Sequence, residues 1–402
     1  DSRNNMQIYT VKQGDTIDRI AGAAGMDPLR LAHDNQIEPP YRLAVGQSLL
    51  VAGGDSEEAG VRLGGFRIGN VQTGPVLVNG YAYPWIDEQI LSETCMYLTS
   101  ISIFSYGFTE AGELVPPAGY GEEDILREAR RQAVIPVLVL TPLGADGRFN
   151  NNLVAVLVRD LEIQQKLIRE LWTVVQEKGY GEVDVDFEYV LAEDRELYAD
   201  FVRRLRIIMN LFGIRVTVAL APKTSREQRG LLYEGIDYRA LGEAANGVLL
   251  MTYEWGYTYG PPMAVAPINM VRRVVEYALT EIPAEKISLG IPNYGYDWPL
   301  PYEQGVTKAR SLGYREAVQL AIDHGVPIYF DETAQSPHLR YWQYGIQHEV
   351  WFEDVRSMYA KFELIKEYNL AGAGYWQLMR LFRANWLLAD HMFLIKRGEA
   401  VI

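Results

Sequence analysis

Asp184, Asp186 and Glu188 occupy every second position of the stretch GYGEVDVDFEYV, with Val183, Val185 and Phe187 between them. Alternation of this kind is the period of a β-strand with two unlike faces. Such a strand aims three carboxylates in one direction, and the next basic residue along the chain is Arg195. Two readings are open at this point. A solvated face accounts for the pattern at no cost, whereas an enclosed face makes it an acid–base device. Carboxylates about 6–7 Å apart on one face raise the pKa of at least one of them. That suits a group that must donate a proton near neutral pH.

The elements that would position these acids recur along most of the chain. Apolar runs fall at residues 76–83, 98–105, 134–140, 182–188, 214–220, 246–253, 286–292 and 371–376. Amphipathic segments separate them; in 159–178, Leu161, Leu167, Ile168, Leu171 and Val175 trace one helical face. Eight strands alternating with helices predict an α/β fold, a (β/α)₈ TIM barrel over residues 72–402. Its active site would lie at the C-terminal ends of the strands. In a closed barrel Asp184, Asp186 and Glu188 point inward, with Glu188 nearest the mouth. The segments 108–116 and 141–153 follow strands two and three and are expected to line the cleft. Residues 297–350 form too long an interval for a simple helical return. The YWQY and QHEVWF runs inside it read as a hairpin, so a small inserted α+β subdomain is expected there.

Composition narrows the partners. A net charge of −14 and a pI near 5.0 argue against nucleic acid and against anionic membrane surfaces. No apolar run reaches the roughly 18 residues of a membrane span, and the opening DSRNNMQIYTV does not read as a signal peptide. Cys95 is the single cysteine, and the five histidines lack His-x-x-x-His spacing. No metal and no cofactor are expected, and the chain reads as a monomer. The 26 Tyr and 8 Trp would suit a sugar ligand, which is held by hydrogen bonds and aromatic faces.

Residues 7–52 read as a compact βααβ unit: a strand at 8–11, helices starting near Thr16 and Asp27-Pro28, and the closing strand GQSLLV. Tyr9-Thr10-Val11, Gly14-Asp15-Thr16, Ile20-Ala21, Leu29, Asn35, Leu43 and Val45 to Leu49 closely resemble the LysM family. That resemblance implies binding of N-acetylglucosamine-containing glycans, either peptidoglycan or chitin. It points to Gly14, Asp15, Thr16, Ile17, Gln36 and Ile37 as contacts, although most of these residues also serve the fold. The expected division is a LysM module at 1–52, a Gly- and Glu-rich linker at 53–71, and the barrel at 72–402.

Four strand-end motifs resemble glycoside hydrolase family 18 in order along the chain. VDVDFE matches its D-x-D-x-E signature, MTYE (251–254) its strand-six motif, GIPNYGYDW (290–298) strand seven, and GAGYW (372–376) strand eight. VWFED (350–354) resembles the segment before the seventh helix. The resemblance implies retaining, substrate-assisted hydrolysis, an exception to the two-carboxylate scheme. Glu188 would be the acid and then the base, Asp186 would orient the substrate's acetamido group, and Asp184 would modulate Asp186. Tyr253 would bond the acetamido oxygen and Trp376 would floor the subsite. Glu254 stands in the strand-six acid's place, and Tyr81, Asn293 and Trp298 are further substrate-binding candidates. One departure is that Gly181 and Glu182 stand where the family commonly has Asp-Gly. The continuation DFEYVLAEDRELYADFVRRLR is similar to the spore-associated branch, cortex-lytic N-acetylglucosaminidases that also carry LysM, which implies a place in the spore or cell wall. Chitin as substrate, and a non-catalytic lectin-like barrel, are the competing readings.

Overall fold

The computed structural model describes residues 6–53, 63–69 and 71–398. Eight parallel strands, numbered here in chain order, form the barrel: Thr73–Ala82, Ser100–Phe108, Ile135–Leu140, Glu182–Val185, Arg215–Leu220, Gly247–Leu250, Ile287–Pro292 and Gly372–Trp376. Each pairs with its neighbours, and strand one pairs with both strand two and strand eight, which closes the sheet. Every strand lies within one of the eight apolar runs or overlaps it. Parallel strands buried on both faces read as near-continuous runs of Val, Ile and Leu, which is why they stand out.

Strand four shows how the sequence sets the site. The helix Leu161–Lys178 begins at Asp160, whose carboxylate accepts from the amides of Glu162 and Ile163, and it ends at Gly179 with φ 77°. Leu167, Ile168, Leu171 and Val175 bury its inner face against the barrel. Tyr180 and Gly181 then lead into the strand. Val183, Val185 and Phe187 turn outward into the helical layer, and Phe187 stacks on Tyr198 and Phe201. Ladder pairing stops at Val185, so Asp186 and Glu188 emerge at the rim.

The insertion follows strand seven and builds a second, antiparallel sheet. Its strands are Gly295–Pro299, Arg310–Leu312, Tyr329–Asp331, Ser336–Gln343 and Ile346–Trp351, with the helix Tyr314–His324 packed against it. The last two form the expected hairpin.

The N-terminal module pairs Met6–Thr10 with Ser48–Ala52 and packs the helices Ile17–Ala24 and Pro28–Asp34 on one face. Thr16 and Asp27 cap those helices. Residues 54–62 and 70 of the expected linker lie outside the described residues. Within the described part, Phe66–Arg67 adds a third strand beside Met6–Thr10. Alternation along the two long strands splits the module. Tyr9, Val11, Leu49 and Val51 close its own core, while Met6, Ile8, Leu50 and Ala52 join the core of the barrel.

Polar contacts fix the same docking. Ile328 donates its amide to the Val45 carbonyl at 2.8 Å, and Arg356 donates to the Gly46 carbonyl at 3.0 Å. Arg383 donates to the His33 carbonyl at 3.0 Å, and Arg315 pairs with Glu38 at 2.5 Å. Gly46 has φ 88°, and a Cβ there would lie 1.8 Å from the Ile328 carbonyl oxygen. Gly46→Ala is therefore expected to destabilise the docked module by on the order of 2–3 kcal/mol. Thermal unfolding with limited proteolysis of residues 1–53 checks this; a wild-type midpoint and cleavage pattern would contradict it.

Candidate active site

A cavity of about 460 Å³ opens at the C-terminal ends of the barrel strands. Its two sides differ chemically. Tyr83, Phe104, Phe149 and Trp376 make an aromatic side, and Asp186, Glu188, Tyr253, Glu254 and Tyr294 make a polar one. Trp376, half-buried, is held by Phe104 at 5.1 Å, Tyr81 at 5.4 Å and Tyr83 at 6.0 Å between ring centroids. Tyr83 in turn stacks on the exposed Trp85 at 4.6 Å.

The three acids take distinct environments. Asp184 is 3% exposed and Asp186 8%, so the solvated-face reading of the alternation does not hold. Asp184 accepts from the Tyr81 hydroxyl at 2.6 Å and from Thr217 at 2.8 Å. Burial raises its pKa, although both hydrogen bonds favour the charged form and oppose the rise. Asp186 lies between Asp184 and Glu188, and its buried Oδ1 has no hydrogen-bond partner among the described residues. Burial and the charges of Glu188 and Asp184 push its carboxyl well above the usual range. Glu188 reaches solvent at the mouth, yet the enclosing walls desolvate it enough to raise its pKa.

Tyr253 is half-buried, and its phenol is held far into its neutral form by desolvation and by the nearby acids. Glu254, with φ 71°, accepts from the Tyr296 hydroxyl at 2.9 and 3.1 Å to its two oxygens. Its carboxyl is raised by burial, against the pull of Tyr296 and Tyr294. A proton donor at the mouth, an unpartnered buried acceptor below it and an aromatic platform beside it form a site for acid-assisted cleavage.

Other expected contacts fall elsewhere. Trp298 is fully buried, donates from Nε1 to the Gly260 carbonyl at 2.8 Å and packs on Tyr296. The loop after strand six covers it, so it cannot stack on a sugar. Asn293 is also buried and lines no part of the cavity. Its Nδ2 donates to the carbonyls of Gln377 and Arg380, both at 2.9 Å, and so fastens the segment after strand eight. Tyr81 borders the cavity but is 3% exposed, and its hydroxyl is committed to Asp184. It positions an acid and is no sugar platform. Tyr81→Phe is expected to lower kcat about 10- to 100-fold with little change in KM, the worth of a hydrogen bond to a charged group. Steady-state kinetics with equal loss in KM would contradict that role.

In the module, Ile17 belongs to the core and its side chain is not available to a ligand. Asp15 accepts from the Tyr9 hydroxyl at 2.5 Å and the Lys12 amide at 2.7 Å. Gly14 and Thr16 are exposed beside it. Gln36 accepts from the Arg383 amide at 2.9 Å and, with Ile37, lines a crevice between module and barrel.

Several site residues escaped the sequence reading. Tyr83 ends the first apolar run and Phe104 is the last but one residue of the second, and that position was their available signal. Phe149 and Asn151 belong to the 141–153 segment expected at the cleft, whereas 108–116 contributes no lining residue and instead forms Leu114–Val115 against strand two. Tyr294 directly follows the strand-seven motif's Asn293. Among the described residues no group of His, Cys, Asp and Glu could hold a metal ion, and no helix is long and apolar enough to cross a membrane.

The fold and this arrangement of acids define a class, and comparison with known proteins agrees with it. The family description "Glycosyl hydrolases family 18" matches residues 126–380, and "LysM domain" matches residues 9–52. The chain belongs to glycosyl hydrolase family 18 and is a glycoside hydrolase with an N-terminal LysM domain. Among its relatives, a cortical fragment-lytic enzyme of Bacillus subtilis is 38% identical over 96% of this chain and 98% of that one. The crystal structure of the Bacillus cereus spore cortex-lytic enzyme SleL superimposes with a TM-score of 0.91 at 34% identity, covering 98% of this chain and 99% of that one. A chitinase from Chromobacterium violaceum, 23% identical with a TM-score of 0.73 over 79% of this chain and 98% of that one, shares the fold.

Proposed function

We propose that the protein is an N-acetylglucosaminidase that cleaves spore-cortex peptidoglycan with retention, using the substrate's acetamido group as nucleophile. The carrying observation is the buried, unpartnered Oδ1 of Asp186 directly below the exposed Glu188. An acetamido N–H is the partner such an acceptor lacks. Glu188 donates its proton to the glycosidic oxygen as the bond to the anomeric carbon breaks. The acetamido carbonyl oxygen closes on that carbon, giving an oxazolinium ion whose positive charge Asp186 stabilises. The Tyr253 hydroxyl donates to the acetamido oxygen, and Trp376 lies under the ring. Glu188, now ionised, takes a proton from the incoming water, which opens the oxazolinium and returns the acid to its starting state.

Full-length similarity to proteins named for cortex lysis supports cortex as the substrate and the spore wall as the place of action. The LysM module would hold the same glycan through its exposed Gly14–Thr16 edge. The test is mass spectrometry of products from cortex fragments and from chitin oligomers at matched enzyme concentration. Cortex products ending in reducing N-acetylglucosamine, formed faster than chitin products, are the expected result. Faster cleavage of chitin oligomers, or muramic acid at the new reducing ends, would overturn the reading.

A further inference from the structure

Strand four carries a fourth inward acid, below the three that serve the reaction. Glu182 is buried at the base of the barrel, in register with Arg215 of strand five, as Asp184 is with Thr217. Arg215 Nη1 lies 3.3 Å from Glu182 Oε1, with both side chains nearly buried. Thr217 acts on both acids: its hydroxyl donates to Asp184 at 2.8 Å, and together with Arg215 it pulls the Glu182 carboxyl down against the rise that burial causes. A hydroxyl has one proton to give, so it serves one carboxylate at a time. Around the pair is a small cavity of about 50 Å³ with a mixed lining, in which Asn79, Ser100 and Ser102 are polar members. Asn79 donates to both serine hydroxyls at 2.9 Å, so these dipoles form their own small network.

We propose that Glu182 and Arg215 form a charge-setting pair beneath the catalytic row, with Glu182 a positioning residue that acts through Thr217 and Asp184 on the proton the row holds. The proposal rests on the reading of Glu188 as acid. A buried ion pair is poor stabilisation in itself, because desolvation offsets attraction, and the barrel base has apolar alternatives such as Ile135 and Val248 lining the same cavity. Its position gives it another consequence. With both members present the base of the barrel is neutral, and Asp184 feels neither a bare cation nor an extra anion. Loss of Glu182 leaves a buried guanidinium near Asp184; loss of Arg215 leaves a further buried carboxylate in line with Asp184, Asp186 and Glu188.

The other charged groups near the pair do not take over this role. Lys286 lies near Arg206 and Arg215 and near the acids Glu243 and Glu285, but the carbonyls of Gly242 and Ala245 hold its ammonium and that of Ala244 holds Arg206. Tyr81 of strand one, Tyr253 after strand six and Tyr198 of the helix Arg195–Asn210 are the phenols that face Asp184, and burial with the neighbouring acids holds all three neutral. Strands two, three, six, seven and eight present Ser100, Ser102, Ile135, Gly247, Val248, Leu249, Ser288 and Gly374 to the cavity, none of which titrates.

The test is the pH profile of kcat/KM for Glu182→Gln, Arg215→Gln and the double variant, each checked for folding by thermal unfolding. Glu182→Gln should move the alkaline limb to lower pH, and Arg215→Gln should move it to higher pH, each by roughly one pH unit. The double variant restores neutrality and should return near the wild-type limb. Glu182→Asp keeps the charge and should hold the limb in place even if a single neutral variant folds poorly. Displacements in the same direction, or reduced stability with an unmoved limb, would overturn the proposal and leave Glu188 as acid intact. Activity remaining in Glu188→Gln would instead overturn the reading beneath it.

Discussion

Glu188→Gln is expected to lower kcat by about three to four orders of magnitude, at the upper end of what general acid–base catalysis supplies. The reason is geometric. Of the four acids that strand four and its end carry, Glu182, Asp184, Asp186 and Glu188, Glu188 alone is exposed at the cavity mouth, where a leaving oxygen can reach it. The amide keeps the shape and polar surface of the side chain but has no proton of useful acidity, and it cannot later accept one from water. Binding through Trp376, Tyr253 and Asp186 remains, so KM should change little. The substitution leaves the strand and its ladder unaltered and removes one of the charges pressing on Asp186, so the thermal midpoint should stay at or above that of wild type. Kinetics on soluble N-acetylglucosamine oligomers decide it, and wild-type turnover in the variant would remove Glu188 from the mechanism.

Asp186→Asn separates catalysis from stability. With the anion gone, the oxazolinium loses its buried counter-charge, and kcat should fall about 10²- to 10³-fold. Stability should move the other way. Burial and two neighbouring acids raise the folded-state pKa of Asp186 above its unfolded value. A raised carboxyl contributes stability that is fully present below the unfolded pKa and is lost as pH rises through the folded one. At neutral pH the ionised cluster therefore weighs against the folded state, by about 1.4 kcal/mol for every tenfold difference in acidity between the two states. Asparagine removes that cost. The variant should be more stable than wild type at about pH 7.5, with the difference shrinking as pH falls toward about 4. Thermal unfolding across this range checks the sign, and a variant less stable than wild type at neutral pH would contradict it.

The barrel was legible because its strands are buried on both faces and carry little else. The acid row was legible because its period is that of a strand, and its identity as a site came from four motifs falling at strand ends in order. What escaped depended on tertiary direction. Trp298 ends a motif that reads as cleft-lining, yet the insertion's sheet turns the indole under the loop after strand six. Asn293 spends its amide on the backbone after strand eight. The partner of Glu182 stands 33 positions along the chain and is brought to it only by the register of strands four and five. Nor does alternation in Met6–Thr10 reveal which face meets a second body, so the core that module and barrel share could not be read from the module alone.

Everything in the proposed mechanism turns on the substrate's own acetamido group, held by Asp186, attacking the anomeric carbon. Proton NMR of the first reducing ends released from an N-acetylglucosamine oligomer decides whether it does. The β anomer should appear first and mutarotate afterwards, and an oligomer lacking the N-acetyl group at the cleaved residue should not be turned over. Initial release of the α anomer, or equal turnover of the deacetylated oligomer, would rule this mechanism out.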